Sequence, residues 1–164
     1  MLAVQIAKAR PAWQVRVIGD GVLRPQIEAE AAQLTNLTFS TTIPHSQVGE
    51  ELAKARLSIV SSSWSEPFGR VAAESLAAGT PALVSARGGL PEIVAPVSDA
   101  LVVAGDRLEH WLAACDAVLA LAPVRYYELA ERCLGVWRRR YSMRGNALAL
   151  ERVYREVLAA ASAA

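Results

Sequence analysis

Short apolar runs alternate with helical stretches over residues 1–105, and few folds satisfy that order. Runs 13–18, 37–39, 57–61, 82–85 and 101–103 read as strands, and 1–10, 25–33, 44–55 and 69–78 as helices. The runs are apolar rather than alternating, as strands covered on both faces should be. Strands joined through helices predict a parallel sheet with right-handed crossovers. After residue 106 the chain turns wholly helical, over 107–121, 124–140 and 144–160. The expectation is one Rossmann-like, three-layer α/β domain over 1–164. Its sheet core spans about 1–105 and its terminal helices about 106–160, with no internal repeat or linker.

Bulk properties exclude several classes. The 164 residues suffice for one domain with a substantial core. A 53% hydrophobic, 20% charged composition is that of an ordered globule, and a formal net charge of +1 gives no reason to expect nucleic acid. The run Arg138-Arg139-Arg140, with Arg144, Arg152 and Arg155, reads as the wet face of terminal helices. Cys115 and Cys133 fall inside helices without ligand partners, and His45 and His110 stand far apart, so no zinc spacing is present. Both cysteines read as free thiols in a reducing compartment. No signal-peptide order or transmembrane run is seen, and the expected setting is cytoplasmic, with a peripheral place at the inner membrane face left open.

In folds of this type ligands bind at the carboxyl ends of strands, where strand order reverses. Three loops compete for that place: 19–21, 61–69 and 85–92. The second, Ser61-Ser62-Ser63-Trp64-Ser65-Glu66-Pro67-Phe68-Gly69, crowds hydroxyls and a carboxylate ahead of a helix start. The first amides of that helix lack intrahelical partners and suit phosphate oxygens or sugar hydroxyls. Gly69 lets a ligand approach the backbone. A carboxylate repels phosphate but accepts hydrogen bonds from vicinal hydroxyls, so Glu66 fits a sugar ring better than a diphosphate. Glu74, eight residues on, can reach a second diol such as a ribose. The plainer readings are a loop carboxylate at a helix start for Glu66 and a solvent-facing helix residue for Glu74. Gly88-Gly89 can turn amides toward an anion, with Glu92 as a further candidate carboxylate. Gly19-Asp20-Gly21 is weak alone and lacks the full GxGxxG pattern. Trp64 and Phe68 pack the loop or stack on a ligand, packing being the favoured reading. His45 is read as a polar residue at a helix start, and no serine stands in a GxSxG elbow.

The segment 62–94, SSWSEPFGRVAAESLAAGTPALVSARGGLPEIV, resembles the donor-binding signature of retaining GT-B glycosyltransferases of family 4. The likeness extends more loosely from 13–21 to 149–154. It implies that Glu66 contacts donor-sugar hydroxyls and eases positive charge at the anomeric carbon, and that Glu74 binds the nucleotide ribose. Phe68, Gly69, Arg70 and Val71 match the turn touching sugar and diphosphate, alongside Gly88 and Gly89. Gly19 and Gly21 match the glycine turn near the nucleotide, and Thr42 and Ile43 lie where the base-contacting loop is placed. Glu92 matches the glutamate after the double glycine. The resemblance implies a UDP-, GDP- or ADP-sugar donor and no metal. It covers only the second half of a GT-B enzyme, so an N-terminal Rossmann-like half, in cis or in trans, is expected to complete the cleft, and the isolated chain is expected to be inactive. The basic pair that clamps the diphosphate precedes the matching segment, and Lys8 and Arg10 lie too late to replace it. The loop at 95–100 departs from the family's usual D-G-x-T-G turn. Alternatives are a non-catalytic nucleotide-sugar-binding module, half of a GT-B epimerase or phosphorylase, and a plain nicotinamide-binding Rossmann domain, which the missing GxGxxG disfavours.

Overall fold

The structure is a computed structural model and describes residues 1–162. Its elements run α1 (Leu2–Ala9), β1 (Val15–Ile18), α2 (Arg24–Ala31), β2 (Leu37–Ser40), α3 (His45–Ala53), β3 (Ser58–Val60) and α4 (Arg70–Ala77). They continue through β4 (Ala82–Ser85), α5 (Leu90–Val94), a 3-10 turn (Asp99–Leu101), β5 (Val102–Val103), α6 (Leu108–Leu119), α7 (Pro123–Arg140) and α8 (Met143–Ser162). The expected alternation is present, and every strand pair is parallel. The architecture is a Rossmann-like α/β domain with a helical C-terminal extension.

Local chemistry sets the ends of these elements. Pro25 and Pro123 sit in the first turns of α2 and α7, where the missing N–H costs nothing. Gly79, at φ +73°, stops α4: its amide donates to the Leu76 carbonyl at 3.1 Å, and the Thr80 amide donates to Ser75 at 2.9 Å. This is a Schellman closure, and it turns the chain directly into β4. The buried Ser75 hydroxyl adds a 2.8 Å bond to the Thr80 carbonyl and lies 2.7 Å from the Ser58 hydroxyl, so the end of α4 is fixed to β3.

Three details differ from the sequence reading. The single sheet is two hydrogen-bonded sheets, β1-β2 and β3-β4-β5. The core divides with them. The larger cluster gathers Leu76, Leu83, Val84, Leu90, Ile93 and Trp111 around β4, and the smaller one holds Val4, Ala7 and Leu37. Only β4 is buried along its whole length, whereas β1 alternates between partly buried and exposed. Second, Leu90–Val94 is a short helix, where the sequence suggested only a turn; Pro91 near its start fits that geometry. Third, the loop at 95–100 closes in a 3-10 turn capped by Ser98, whose hydroxyl accepts the Ala100 amide at 3.3 Å.

Small polar anchors join the parts. The buried Asn36 amide nitrogen lies 3.0 Å from the carbonyls of Ala7 and Trp13, fastening α1 to the start of β1. α7 lies against α4, with Leu134 over Gly79. Both cysteines are free and buried, Cys115 on α6 and Cys133 on α7. Burial pushes the Cys115 thiol up to about 11 and the Cys133 thiol up to about 12. The thiolate is the reactive form, so both are inert near neutrality. A disulfide reagent at pH 8 is therefore expected to label neither cysteine in the native protein and both in denaturant. Rapid labelling of the native chain would contradict this packing.

Candidate functional site

The site is built where the loop after β3 meets the loop after β4. Gly88, at φ +56°, lies flat against Glu66: a Cβ added there would stand 2.5 Å from the Glu66 nitrogen and 2.9 Å from its carbonyl carbon. A Cβ on Gly89 would stand 2.8 Å from the Pro67 carbonyl oxygen. The space between the loops is filled instead by a hydrogen bond, the Gly89 amide donating to the Glu66 carbonyl at 2.7 Å. Two motifs more than twenty residues apart are thus one rigid piece.

Gly69 completes the piece. It caps α4 in the left-handed region, φ +90°, which side-chain-bearing residues rarely adopt. A Cβ there would meet Leu90 Cδ2 at 2.5 Å. The first amide to join the α4 ladder is Ala73, bonded to the Gly69 carbonyl at 3.2 Å. The amides of Arg70, Val71 and Ala72 precede the ladder and lie at the positive end of the helix.

The Glu66 side chain is partly buried, and the buried Ser62 hydroxyl donates to its Oε2 at 3.4 Å. Ser62 is itself held by Ser85, whose hydroxyl donates to the Ser62 carbonyl at 2.9 Å from the end of β4. Arg87 ties the second loop outward through an ion pair with Asp106 at 2.5 Å. Glu74 stands one turn into α4, its side chain 27% exposed, and accepts from Arg70 at 3.4 Å. An exposed i,i+4 pair of this kind is worth about 0–1 kcal/mol, little enough for a ligand hydroxyl to displace.

The other expected residues spread along the same strand ends. Phe68 is exposed, but its ring meets Tyr141 edge-on at 5.9 Å between centroids. The Tyr141 hydroxyl in turn donates to the Glu92 carbonyl at 3.3 Å, so the end of α7 bridges Phe68 and α5. The Glu92 side chain is exposed. Trp64 is 62% exposed, against the packing role expected of it, since nothing in its loop covers it. Gly19 and Gly21 follow β1 and border a shallow hollow of about 290 Å³ that includes Asp20 and Arg24. Asp20 accepts the Gly21 amide at 2.8 Å. Thr42 and Ile43 lie between β2 and α3, with Thr42 exposed. Direct contacts unite Glu66, Gly69, Gly88 and Gly89. The Gly19–Gly21 turn and residues 42–43 follow β1 and β2 of the other sheet and share with this group a place at strand ends.

Sequence reasoning named Ser62 only among the hydroxyls of its loop and passed over Ser85, Arg87 and Tyr141. A serine closing the apolar run 82–85 is a readable signal for an anchor. Tyr141 has no local signal, because its partners Phe68 and Glu92 are supplied by packing. Lys8 pairs with Glu30 and Arg10 with Asp116, so both serve to fasten helices. Among the described residues no group of three or more His, Cys, Asp or Glu is placed to hold a metal ion, and no helix is long and apolar enough to cross a membrane.

Comparison with known proteins gives the family. Residues 2–133 match the model of the family described as glycosyl transferases group 1. A D-inositol 3-phosphate glycosyltransferase of Rhodococcus erythropolis is 34% identical over 137 residues, covering 78% of this chain and 31% of the relative. The same-named protein of Mycobacterium leprae is 33% identical over 118 residues, covering 66% of this chain and 28% of the relative. Among solved structures, sucrose-phosphate synthase from Thermosynechococcus elongatus superposes with a TM-score of 0.76 at 26% identity, over 97% of this chain and 42% of that one. The chain thus spans about a third of the length of the curated relatives it matches.

The clasp between the loops sets a test of its own. Gly88→Ala forces a Cβ into the Glu66 backbone at a positive φ, and a cost of about 1–3 kcal/mol is expected in urea unfolding. Gly21→Ala, with nothing within 4 Å of the added carbon, is expected to change stability by no more than about 0.5 kcal/mol. Equal losses for the two variants would show that the clasp carries no special load.

Proposed function

The chain belongs to the group 1 glycosyl transferases, and from that premise we propose that it is the C-terminal, donor-nucleotide-sugar-binding half of a retaining GT-B enzyme. The observation that supports this most directly is the Glu66–Gly89 clasp, which holds a partly buried carboxylate beside the free amides of α4. That arrangement offers acceptors for sugar hydroxyls and donors for phosphate oxygens within one rigid frame.

In this reading Glu66 accepts hydrogen bonds from hydroxyls of the donor sugar. As the bond to the diphosphate breaks, its negative charge offsets the positive charge growing at the anomeric carbon. The amides at the start of α4, from Gly69 through Val71, and those of Gly88 and Gly89 meet the diphosphate and sugar. Phe68 and Arg70 flank the same turn. Glu74 releases Arg70 and takes the ribose hydroxyls. The turn at Gly19 and Gly21 and the segment Thr42-Ile43 line the nucleotide side, and Glu92 stands as a further carboxylate near the sugar. The donor is a UDP-, GDP- or ADP-sugar, and the chemistry needs no metal.

The reaction needs a second wall. Electrostatic stabilisation works best where water is excluded, and a cleft closed on one side leaves the reacting carbon wet. The other wall, with the acceptor site and the cations that hold the diphosphate, belongs to an N-terminal half, in cis or in trans. The isolated chain is accordingly expected to bind donor weakly and to transfer nothing. Robust glycosyl transfer by the chain alone would overturn its assignment as a half-enzyme.

Calorimetry with UDP-, GDP- and ADP-glucose tests the site directly. One of the three is expected to bind in the millimolar range, and EDTA is expected to leave binding unchanged. Glu66→Gln should weaken the nucleotide-sugar at least tenfold while sparing the free nucleotide diphosphate. Glu74→Gln should weaken both alike. Equal loss of both ligands in both variants would contradict the separate roles. Donor binding without transfer, even with the N-terminal half restored, would favour a non-catalytic nucleotide-sugar-binding module.

A further inference from the structure

The chain gathers its positive charge at one place. Residues 138–155 hold six arginines and a single acid, Glu151, although the whole chain carries a formal net charge of only +1. They span the last turn of α7, the turn after it and the greater part of α8. Four of the six, Arg138, Arg139, Arg144 and Arg152, line one hollow of about 360 Å³, with Leu148 in its wall and no acidic residue among those that line it. The hollow shares no residue with the clasp around Glu66.

The turn between the two helices holds these side chains on a fixed frame. The Tyr141 and Ser142 amides donate to the Trp137 carbonyl at 2.8 and 3.0 Å, which ends α7. The Ser142 hydroxyl donates to the Arg138 carbonyl at 2.6 Å and accepts the Gly145 amide at 3.0 Å, so one side chain closes α7 and opens α8. Gly145 brings the two backbones into contact: a Cβ there would stand 2.5 Å from the Arg139 carbonyl oxygen and 2.9 Å from that of Arg138. On α8, positions 144, 148 and 152 recur every four residues and share one face. That face carries two cations to the hollow, and the end of α7 supplies the other two.

These four cations are unpaired. Arg107, Arg125 and Arg155 each hold a carboxylate, and Arg155 takes Glu151, the one acid of the stretch. Arg138, Arg139, Arg144 and Arg152 make no ion pair among the described residues. Glu131 and Arg139 border a second hollow but form no ion pair there. Arg138 and Arg139 have an internal use, since they stand at the negative end of α7. Arg144 has none: it stands in the first turn of α8, at the positive end, where a cation is disfavoured. Arg152 lies in the middle of α8 and gains nothing from either end. Guanidinium groups around one hollow repel one another, and an oxyanion between them offsets that repulsion. The guanidinium fork also matches phosphate oxygens two at a time.

We propose that the elbow between α7 and α8 is an oxyanion site that takes a phosphate group, carried by a small phosphorylated molecule or by a lipid headgroup. Arg138 and Arg139 hold it from one helix, and Arg144 and Arg152 from the other. The exposed Leu148 offers an apolar contact to the group that carries the phosphate. The inference rests on the arginines and does not depend on donor binding at Glu66.

The test titrates inorganic phosphate and inorganic pyrophosphate into the full chain at constant ionic strength and follows backbone amides and arginine Nε–H signals by NMR. Saturable shifts in the millimolar range are expected at Gly145, Leu148 and Ala149 and at the side chains of Arg144 and Arg152. Sodium chloride at the same ionic strength is expected to move none of them. Arg144→Gln joined with Arg152→Gln is expected to weaken binding about tenfold or more. Arg107→Gln, which removes a cation paired with Glu109, is expected to leave it unchanged. Arg144 and Arg152 are exposed, so the double variant should keep the native thermal midpoint. If it unfolds, Arg144→Lys with Arg152→Lys keeps the charge, loses the fork, and should still weaken binding severalfold. Flotation with phosphatidylcholine vesicles, with and without phosphatidylglycerol, separates the two sources. Capture by the phosphatidylglycerol vesicles that is lost in the double variant assigns the phosphate to a headgroup. Saturation by pyrophosphate without capture assigns it to a soluble molecule. Shifts that sodium chloride reproduces, shifts that persist in the double variant, or no response to any of the three phosphate probes would overturn the proposal. So would tighter binding of a tetraglutamate peptide than of pyrophosphate, which would show a surface for an acidic protein instead. Pyrophosphate held at the donor site moves Arg70, Gly88 and Gly89, and Glu66→Gln is expected to leave the elbow shifts unchanged, so the two readings fail separately.

Discussion

The hydrogen bond from the Gly89 amide to the Glu66 carbonyl governs the arrangement around the candidate site. At 2.7 Å it requires the two backbones to touch, and they touch only because Gly88 and Gly89 carry no Cβ. With the loops joined, Glu66 is fixed relative to the start of α4, Ser62 is brought within reach of its carboxylate, and Leu90 is drawn over Gly69. The carboxylate therefore stays partly buried instead of ranging with a free loop. Positioning of this kind is what a charge must have if it is to act on a developing charge nearby.

The support for that clasp is unevenly distributed through the molecule. The larger cluster, with β4 at its centre, holds Ser85 and the start of α5, and through them the loops. The smaller cluster under β1 and β2 is attached to it by α1 and by ion pairs such as Arg10–Asp116 at 2.6 Å and Arg16–Glu51 at 2.9 Å. Such partly exposed pairs contribute little, since water and salt screen them. The two sheets therefore differ in how firmly they hold their loops, and the nucleotide-side turn at Gly19 sits on the weaker one.

Much of this was legible along the chain. The alternation of apolar runs with helical stretches named the fold class, because backbone hydrogen bonding and crossover handedness leave few other ways to bury such strands. Gly69, Gly79 and Gly88 stand where the backbone takes a positive φ, and glycine is the residue a sequence uses there. Other features were not legible. The short helix at Leu90–Val94 is below the length at which periodicity gives a signal. The edge contact of Tyr141 with Phe68 joins residues far apart in the chain, and no spacing rule links them.

What the sequence determined by itself was therefore most of the local conformation and the chemical character of the loops: which of the longer segments are helical, where the chain turns through glycine, and that carboxylates and hydroxyls gather after one strand. Those properties follow from side chains acting on their own backbone within a few residues. Only the tertiary structure decided that the double glycine lies on the Glu66 backbone, that Ser85 holds Ser62, and that Tyr141 meets Phe68. Those facts depend on distances between segments brought together by packing, and packing is settled by the whole core at once rather than by any one stretch of chain.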